Sequence, residues 1–167
     1  MPEGLREVTA IELRTIAEAN RRFWLEGLGS LQHPCGFRVS GSDLSQIDLR
    51  GVHFDSTVLD ACTFRGAVLF GSTFSETVAT NCNFSRADMV KMEIFHSDLR
   101  GCRFDDANMV SVTILDCDLR GASFRGADLT GAVIADCQID GACFDGSSVT
   151  GALFEDNIEK AECNTPA

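Results

Sequence analysis

The 167-residue chain has no run approaching 18 apolar residues and no basic-then-apolar leader. A membrane span and a secretory signal are therefore not expected, and the reading is a soluble, cytoplasmic protein that makes no membrane contact. Delivery as a secreted effector without such a signal stays open. Bases are few, with 14 Lys and Arg against 25 Asp and Glu and a formal net charge of −11. Positions 1–40 carry five charges of each sign, positions 41–154 carry 16 acids and 8 bases, and the tail adds −3. That balance argues against direct nucleic-acid binding. There are eight cysteines but no C-x-x-C pair, and His33, His53 and His96 are scattered. Neither a zinc site nor a disulfide framework follows from that spacing, so no metal and no cofactor are expected. The 15 glycines form no loop between a strand and a helix of the kind that cradles phosphate.

What the chain does have is a period of five. From Leu44, steps of five reach Leu49, Phe54, Leu59, Phe64, Leu69 and Phe74, and continue to Phe144, Val149 and Phe154. Of the 23 positions, 22 are large and apolar, with Ala79 the exception. Neither a helix, with period 3.6, nor a plain strand, with period 2, produces this. Two residues before each centre the side chain is small in 21 of 23 cases, with Ile47 and Met92 the exceptions. In an extended segment both positions face the same side, here the inside. The flanking residues face out and are mostly polar, as at Asp48, Asp98 and Asp118. Glycine is common two residues after the centre, which suits a corner.

A second, fourfold longer period closes the shape. Phe64, Phe84, Phe104, Phe124 and Phe144 recur at every fourth centre, and Phe54, Phe74 and Phe154 fall midway between them in register. Like stacks on like at every fourth unit, which implies four sides per coil and Phe columns on opposite sides. The fold class expected is an all-β solenoid of nearly six four-sided coils, about 28 Å long at the usual strand spacing. The units Ser97-Asp98-Leu99-Arg100-Gly101, Cys117-Asp118-Leu119-Arg120-Gly121 and Ala127-Asp128-Leu129-Thr130-Gly131 resemble the pentapeptide repeat family, with its A-(D/N)-L-x-x pattern. The resemblance covers about two thirds of the chain and implies a right-handed quadrilateral β-helix.

The ends differ from the repeats. Residues 1–40 read as a helical cap and lead-in, 41–156 as the β-helix, and 157–167 as a short C-terminal cap or tail. Thr9-Ala10-Ile11-Glu12 fits a capping box, and a helix from about Ala10 to Glu26 should end at Gly27 or Gly29. Leu13, Ile16, Ala17, Asn20, Phe23, Trp24 and Leu28 give it a largely apolar stripe, expected to cover the first coil. Phe23-Trp24-Leu25-Glu26-Gly27 resembles the lead-in of many bacterial members of the family. A short helix over 155–162 would turn Ile158 toward the last coil.

No catalytic constellation emerges, and the chain reads as a non-enzyme. Asp98 and Asp118 should stack in one outward column beside Arg100 and Arg120, with Asp116 and Asp136 in a neighbouring column. Cys62, Cys82, Cys102, Cys117 and Cys137 fall at inward positions as small apolar fillers, whereas Cys143 points out and is the expected labelling site. Met92 is expected to fill the gap left by Ala79. Phe70, Val90 and Val110 in one column, with Phe95 and Leu115 in the next, form an apolar edge, the expected partner-binding surface. The function read from these features is a protein-binding scaffold whose occupant is an unidentified protein or a second copy. The alternative implied by the resemblance is an acidic DNA mimic that binds a type II topoisomerase such as DNA gyrase. Eight net charges over about 28 Å is about half the density of duplex DNA, which weakens that alternative.

Overall fold

The computed structural model describes residues 5–27, 32, 33 and 35–158. Its elements in chain order are β1 (Arg6–Glu7), α1 (Ala10–Glu26), β2 (Phe37–Arg38), β3 (His53–Asp55), β4 (Thr73–Ser75), β5 (Glu93–Phe95), β6 (Thr113–Leu115), β7 (Val133–Ala135) and β8 (Leu153–Glu155). Strands β3 to β8 form a six-stranded parallel sheet in chain order. Each step advances the register by four repeat units, as in Phe54↔Phe74 and Ile94↔Ile114. The other three sides are held by single parallel bridges with the same step, such as Thr63↔Asn83, Asp88↔Asn108 and Asp98↔Asp118. The result is a four-sided β-solenoid of five complete coils and most of a sixth.

The inward positions behave as the period requires. Leu44, Leu49, Phe64, Leu69, Phe84, Ile94, Leu119 and Phe124 are fully buried. Phe64, Phe84, Phe104, Phe124 and Phe144 stack face to face, with ring centroids 4.8–5.3 Å apart. The second Phe column meets the first across the core through Phe74–Phe84 at 6.0 Å and Phe144–Phe154 at 5.5 Å. Ala79 and Met92 are both fully buried in the same core.

The corners hold a detail that the glycine count hides. Every residue two after a centre, from Gln46 to Asp156, has positive φ, and 13 of these are not glycine. Five of the 13 are Asn or Asp, the residues that accept the left-handed region best. Eight others, among them Ala61, Arg86 and Lys91, carry local strain that the stacked coils above and below enforce.

The corners are of two kinds. After the sides other than β3 to β8, the chain in most coils turns with a bond from the next inward amide to the preceding centre. Examples are Ala67 N–H to Phe64 O (2.9 Å), Val112 to Met109 (3.1 Å) and Ala122 to Leu119 (3.0 Å). With positive φ at the third residue, these are type II turns. Among the described residues, no such bond closes the corner after the β side. There the inward amide donates to a side chain of the next coil instead. Thr77 N–H meets Ser97 Oγ at 3.0 Å, Ser97 meets Cys117 Sγ at 3.4 Å, Cys117 meets Cys137 Sγ at 3.4 Å, and Cys137 meets Asn157 Oδ1 at 3.0 Å. This explains why the column Thr57, Thr77, Ser97, Cys117, Cys137 and Asn157 contains no alanine, whereas the other inward columns do. A buried amide needs an acceptor.

The N-terminal cap forms as expected. Thr9 and Glu12 make a reciprocal capping box, and Gly27 ends α1 in the left-handed region with its amide on Phe23 O at 3.1 Å. Leu13 and Ala17 join the solenoid core, with Ile16 packed against it. Buried Asn20 clamps the lead-in by accepting from Gln32 N–H at 2.7 Å and donating to Gln32 O at 2.9 Å. Trp24 is half exposed and reaches over the corner at Gly51, where Nε1–H donates to Arg50 O at 3.2 Å. A Cβ on Gly51 would lie 2.9 Å from the Trp24 ring. Leu28 lies outside the described residues. Strand β1 pairs in parallel with β2 and adds a rung that the five-residue period does not announce. At the other end the expected helix is absent over 155–158. Glu155 ends β8, Asp156 turns with φ 49°, and Ile158 bridges Gln138 in the solenoid register. The polar ladder captures Asn157, so the repeat continues where a helix was expected. Ile158 is consequently exposed and does not cover the coil. Residues 159–162 lie outside the described residues.

Candidate interaction surface

Ion pairs run along the sides of the rod other than the β side. Asp48 pairs with Arg50 at 2.9 Å and Asp105 with Arg103 at 2.8 Å. Asp106 meets Arg86 at 3.6 Å and Asp145 meets Arg125 at 3.6 Å. The expected ladder of Asp98, Asp118, Arg100 and Arg120 is present, with Arg100 bridging Asp98 at 2.6 Å and Asp118 at 3.5 Å, and Arg120 closing on Asp118 at 2.5 Å. Burial pushes the Asp118 carboxyl up, but the hydrogen bonds from Arg120 and the two guanidinium charges outweigh it and hold the group below the usual range. These carboxylates are fully engaged. Among the described residues, no three of His, Cys, Asp and Glu converge to hold a metal ion.

The β side and the corner that follows it are different. They carry Asp55, Glu76, Glu93, Asp116, Asp136, Glu155 and Asp156, seven acids, and none of the eight Lys and Arg of positions 41–154. Among the described residues none of these acids pairs with Lys or Arg. Glu76 accepts from Ser56 Oγ at 3.2 Å, and Asp116 lies 3.7 Å from His96 Nδ1. Asp116 and Asp136 stack in the corner column, with each corner amide donating to the next coil.

The apolar residues of this region fall into two columns. Phe95 and Leu115 are register partners at the outer ends of β5 and β6, and Ala135 continues the column on β7. Phe95 and Leu115 are half-buried by their neighbours, and Ala135 is buried. Phe70, Val90 and Val110 stack at the end of the preceding side, where Gly71 N–H donates to Val90 O and Lys91 N–H to Val110 O. Phe70 is 45% exposed, while Val90 and Val110 are half-buried. The two columns occupy adjacent sides. Between Val110 and Leu115 the chain passes the corner at Ser111 and the outward Thr113. The structure adds Val133 and the exposed Leu153 on the β side itself. Reading the sequence coil by coil in columns would have found both additions and the missing bases, because the signal is compositional.

The cysteines divide as expected, with one change. Cys62, Cys82, Cys102, Cys117 and Cys137 are buried. Burial pushes the Cys102 thiol up to about 12, so it stays protonated and donates to Ala79 O at 2.8 Å. Cys143 is only partly exposed and accepts from Arg125 Nε at 3.1 Å, so Cys35 is the more open thiol. Cys163 lies outside the described residues.

The model of the family described as pentapeptide repeats matches in 8 copies, over residues 38–69, 58–91, 94–126 and 115–151. The chain belongs to the pentapeptide repeat family. Among solved structures, full-length QnrB1, a plasmid-mediated fluoroquinolone resistance protein, is 22% identical with a TM-score of 0.54, covering 72% of this chain and 71% of that one. A trypsin-treated form of QnrB1 gives the same identity and TM-score, and the match spans 66% of its length. A pentapeptide repeat protein from the Arabidopsis thaliana thylakoid lumen is 27% identical over 59% of this chain and 69% of that one, with a TM-score of 0.39. No curated protein matches. The likeness to QnrB1 is one of fold.

Proposed function

We propose that this pentapeptide repeat protein is a non-catalytic scaffold that binds another protein through its β side and the neighbouring apolar corner. The observation that carries this reading is the set of exposed and half-exposed apolar side chains Phe70, Phe95 and Leu115 on adjacent sides of the rod, of which the β side itself carries no Lys or Arg. A stacked sheet holds these side chains in one arrangement before any partner arrives, which lowers the entropic cost of association. The interior is filled by stacked Phe, Leu and Ile and offers no room for a substrate. Affinity capture with wild type beside a Phe70→Asp/Phe95→Asp variant tests the reading. A protein retained by wild type and lost with the variant supports it, and identical captures from both sink it.

Binding to a type II topoisomerase as an acidic mimic of DNA is the second reading, favoured by the uninterrupted acids of the β side and by the fold shared with a fluoroquinolone resistance protein. Seven charges over about 28 Å is about 0.25 per Å, against about 0.6 per Å for duplex DNA. Capture of topoisomerase subunits by both proteins above would support mimicry over the scaffold.

A further inference from the structure

We propose that the occupant of the β side is a basic amphipathic α-helix of a partner protein, lying along the rod axis. Its apolar face sits on Phe95, Leu115 and Ala135, and its Lys or Arg residues sit on the corner column at Glu76, Asp116 and Asp136. This inference rests on the scaffold reading and names the partner's chemistry.

Three observations lead to it. The first is charge. The corner column adjoins the apolar column in sequence, with Asp116 directly after Leu115 and Asp136 directly after Ala135. Glu76 holds the same place one coil before His96, which follows Phe95. Elsewhere arginine neutralises several of the acids within the rod, as Arg100 and Arg120 do for Asp98 and Asp118. Here, among the described residues, no Lys or Arg pairs with the acids, and a basic partner would supply that charge. A second copy docked by the same side would bring two such acid sets together without a Lys or Arg between them, and like charges in contact oppose that pairing. An anionic lipid surface or a nucleic acid meets the same obstacle.

The second is backbone accounting. The N–H and C=O groups of the coils bond along the rod axis to the coils above and below, as in β4 to β5 and β5 to β6. The side of the rod therefore has no free strand edge, and an extended peptide could not add itself there by main-chain pairing. A helix satisfies its own backbone and needs only side-chain contacts.

The third is pitch. A helix repeats every 5.4 Å and the coils about every 4.8 Å. Over three turns the two drift apart by about 2 Å, under half a coil spacing. A helix of about 11 residues can thus keep its apolar and basic residues in step with successive coils from Glu76 to Asp136.

The test uses two synthetic 14-residue peptides, one with a leucine stripe flanked by lysines and a counterpart with glutamate in place of each lysine. Binding at 150 mM salt is read by fluorescence anisotropy, about the ionic strength at which diffuse attraction is screened beyond 8 Å, and amide shifts in labelled protein give the location. The lysine peptide should bind, with shifts centred on β5 to β7 and the following corner. The glutamate peptide should not. Asp116→Asn/Asp136→Asn should weaken binding at least about tenfold, equivalent to about 1.4 kcal/mol, and Asn keeps the left-handed corner tolerable. Asp88→Asn on the neighbouring side should leave affinity unchanged. Equal binding of both peptides, shifts away from the β side, or an Asp116→Asn/Asp136→Asn affinity within twofold of wild type would each overturn the inference. The scaffold reading is judged separately. A captured partner that is lost with Phe70→Asp/Phe95→Asp but unaffected by Asp116→Asn/Asp136→Asn keeps the scaffold and removes the basic helix.

Discussion

At the scale of single residues, the inward column after the β side is the sharpest case of side-chain chemistry set by backbone geometry. Ser97 Oγ accepts the Thr77 amide and donates to Phe95 O at 2.8 Å. Ser97→Ala removes the acceptor and leaves a buried amide unpaired, which should cost about 1–3 kcal/mol. Ser97→Thr keeps an acceptor of a type already present at Thr57 and Thr77, and should cost less than about 1 kcal/mol. Urea unfolding of the two variants checks this, and equal losses would remove the ladder from the account. Met92 tests packing in the same way. If it fills the space beside Ala79, Met92→Ala should cost about 2–5 kcal/mol, whereas a loss well under 1 would mean that the core closes without it. The size of these inward residues was readable from the five-residue period, but their polarity was not. Thr, Ser and Cys pass equally as small fillers until the corner is known to lack its turn bond. The non-glycine corners hid for a related reason. Arg86 and Lys91 have no preference for positive φ, and only the stacked coils above and below place them there.

At the scale of elements, α1 and its lead-in carry a pH dependence distinct from that of the coils. His33 Nδ1 accepts the His53 amide at 3.3 Å, and the two rings meet edge to face at 4.4 Å. Although the ring is largely exposed, partial desolvation first, and then the charge of His53, hold the His33 pKa below its ordinary value, with Asp55 opposing. The unfolded chain therefore binds this proton more readily than the folded one. The contribution is fully present above the unfolded value of about 6.5 and is lost as pH falls through the folded pKa. Glu12 follows at lower pH. The Thr9 backbone and side chain hold its carboxylate below the usual range, so the capping box is intact above the unfolded value and is lost as pH falls through the folded one. Trp24 is the only tryptophan, and the chain contains no tyrosine, so its emission reports on this docked helix alone. The urea midpoint seen by Trp24 should be lower at pH 5.5 than at pH 7.5, and His33→Asn should flatten that difference. An unchanged difference in His33→Asn would assign it to other groups. The helix itself was legible, because Thr9 and Glu12 are local signals for its start, while its end lay between Gly27 and Gly29 until the structure placed it at Gly27. Strand β1 was not, because two residues pairing with the distant Phe37 and Arg38 leave no periodic trace. The C-terminal helix failed for the opposite reason. Charged residues from Glu155 onward look helical in isolation, but the coil beneath offers Asn157 and Ile158 ready partners at Ile134 O and Gln138.

At the scale of the whole molecule, each coil touches only the coils before and after it, so stability is distributed as a sum over neighbours and the ends differ from the middle. The N-terminal end is closed by α1, whose Leu13 and Ala17 join the same buried core as Leu44 and Ile47. The last described coil has no equivalent cover among the described residues, and Val149, Ala152 and Phe154 are only partly buried while Leu153 is 44% exposed. Opening should therefore start at that end and cost least there. In native-state hydrogen exchange the amides of Asp88, Asn108 and Asp128, each bonded to the preceding coil at 2.9 Å, should be protected close to the global unfolding limit. The amides of Leu153 and Ile158 make equally short bonds, both 2.8 Å, and yet should exchange faster by at least tenfold. Bond length cannot produce that contrast, because the bonds are alike. Only the position along the stack distinguishes them, since freeing the last coil breaks one interface and freeing a middle coil breaks two. Uniform protection from Asp48 to Ile158 would mean that the solenoid opens as one unit, and the neighbour-sum account of this rod would be wrong. A gradient would also locate the interaction surface in the rigid part of the rod, since Phe95 and Leu115 lie on middle coils.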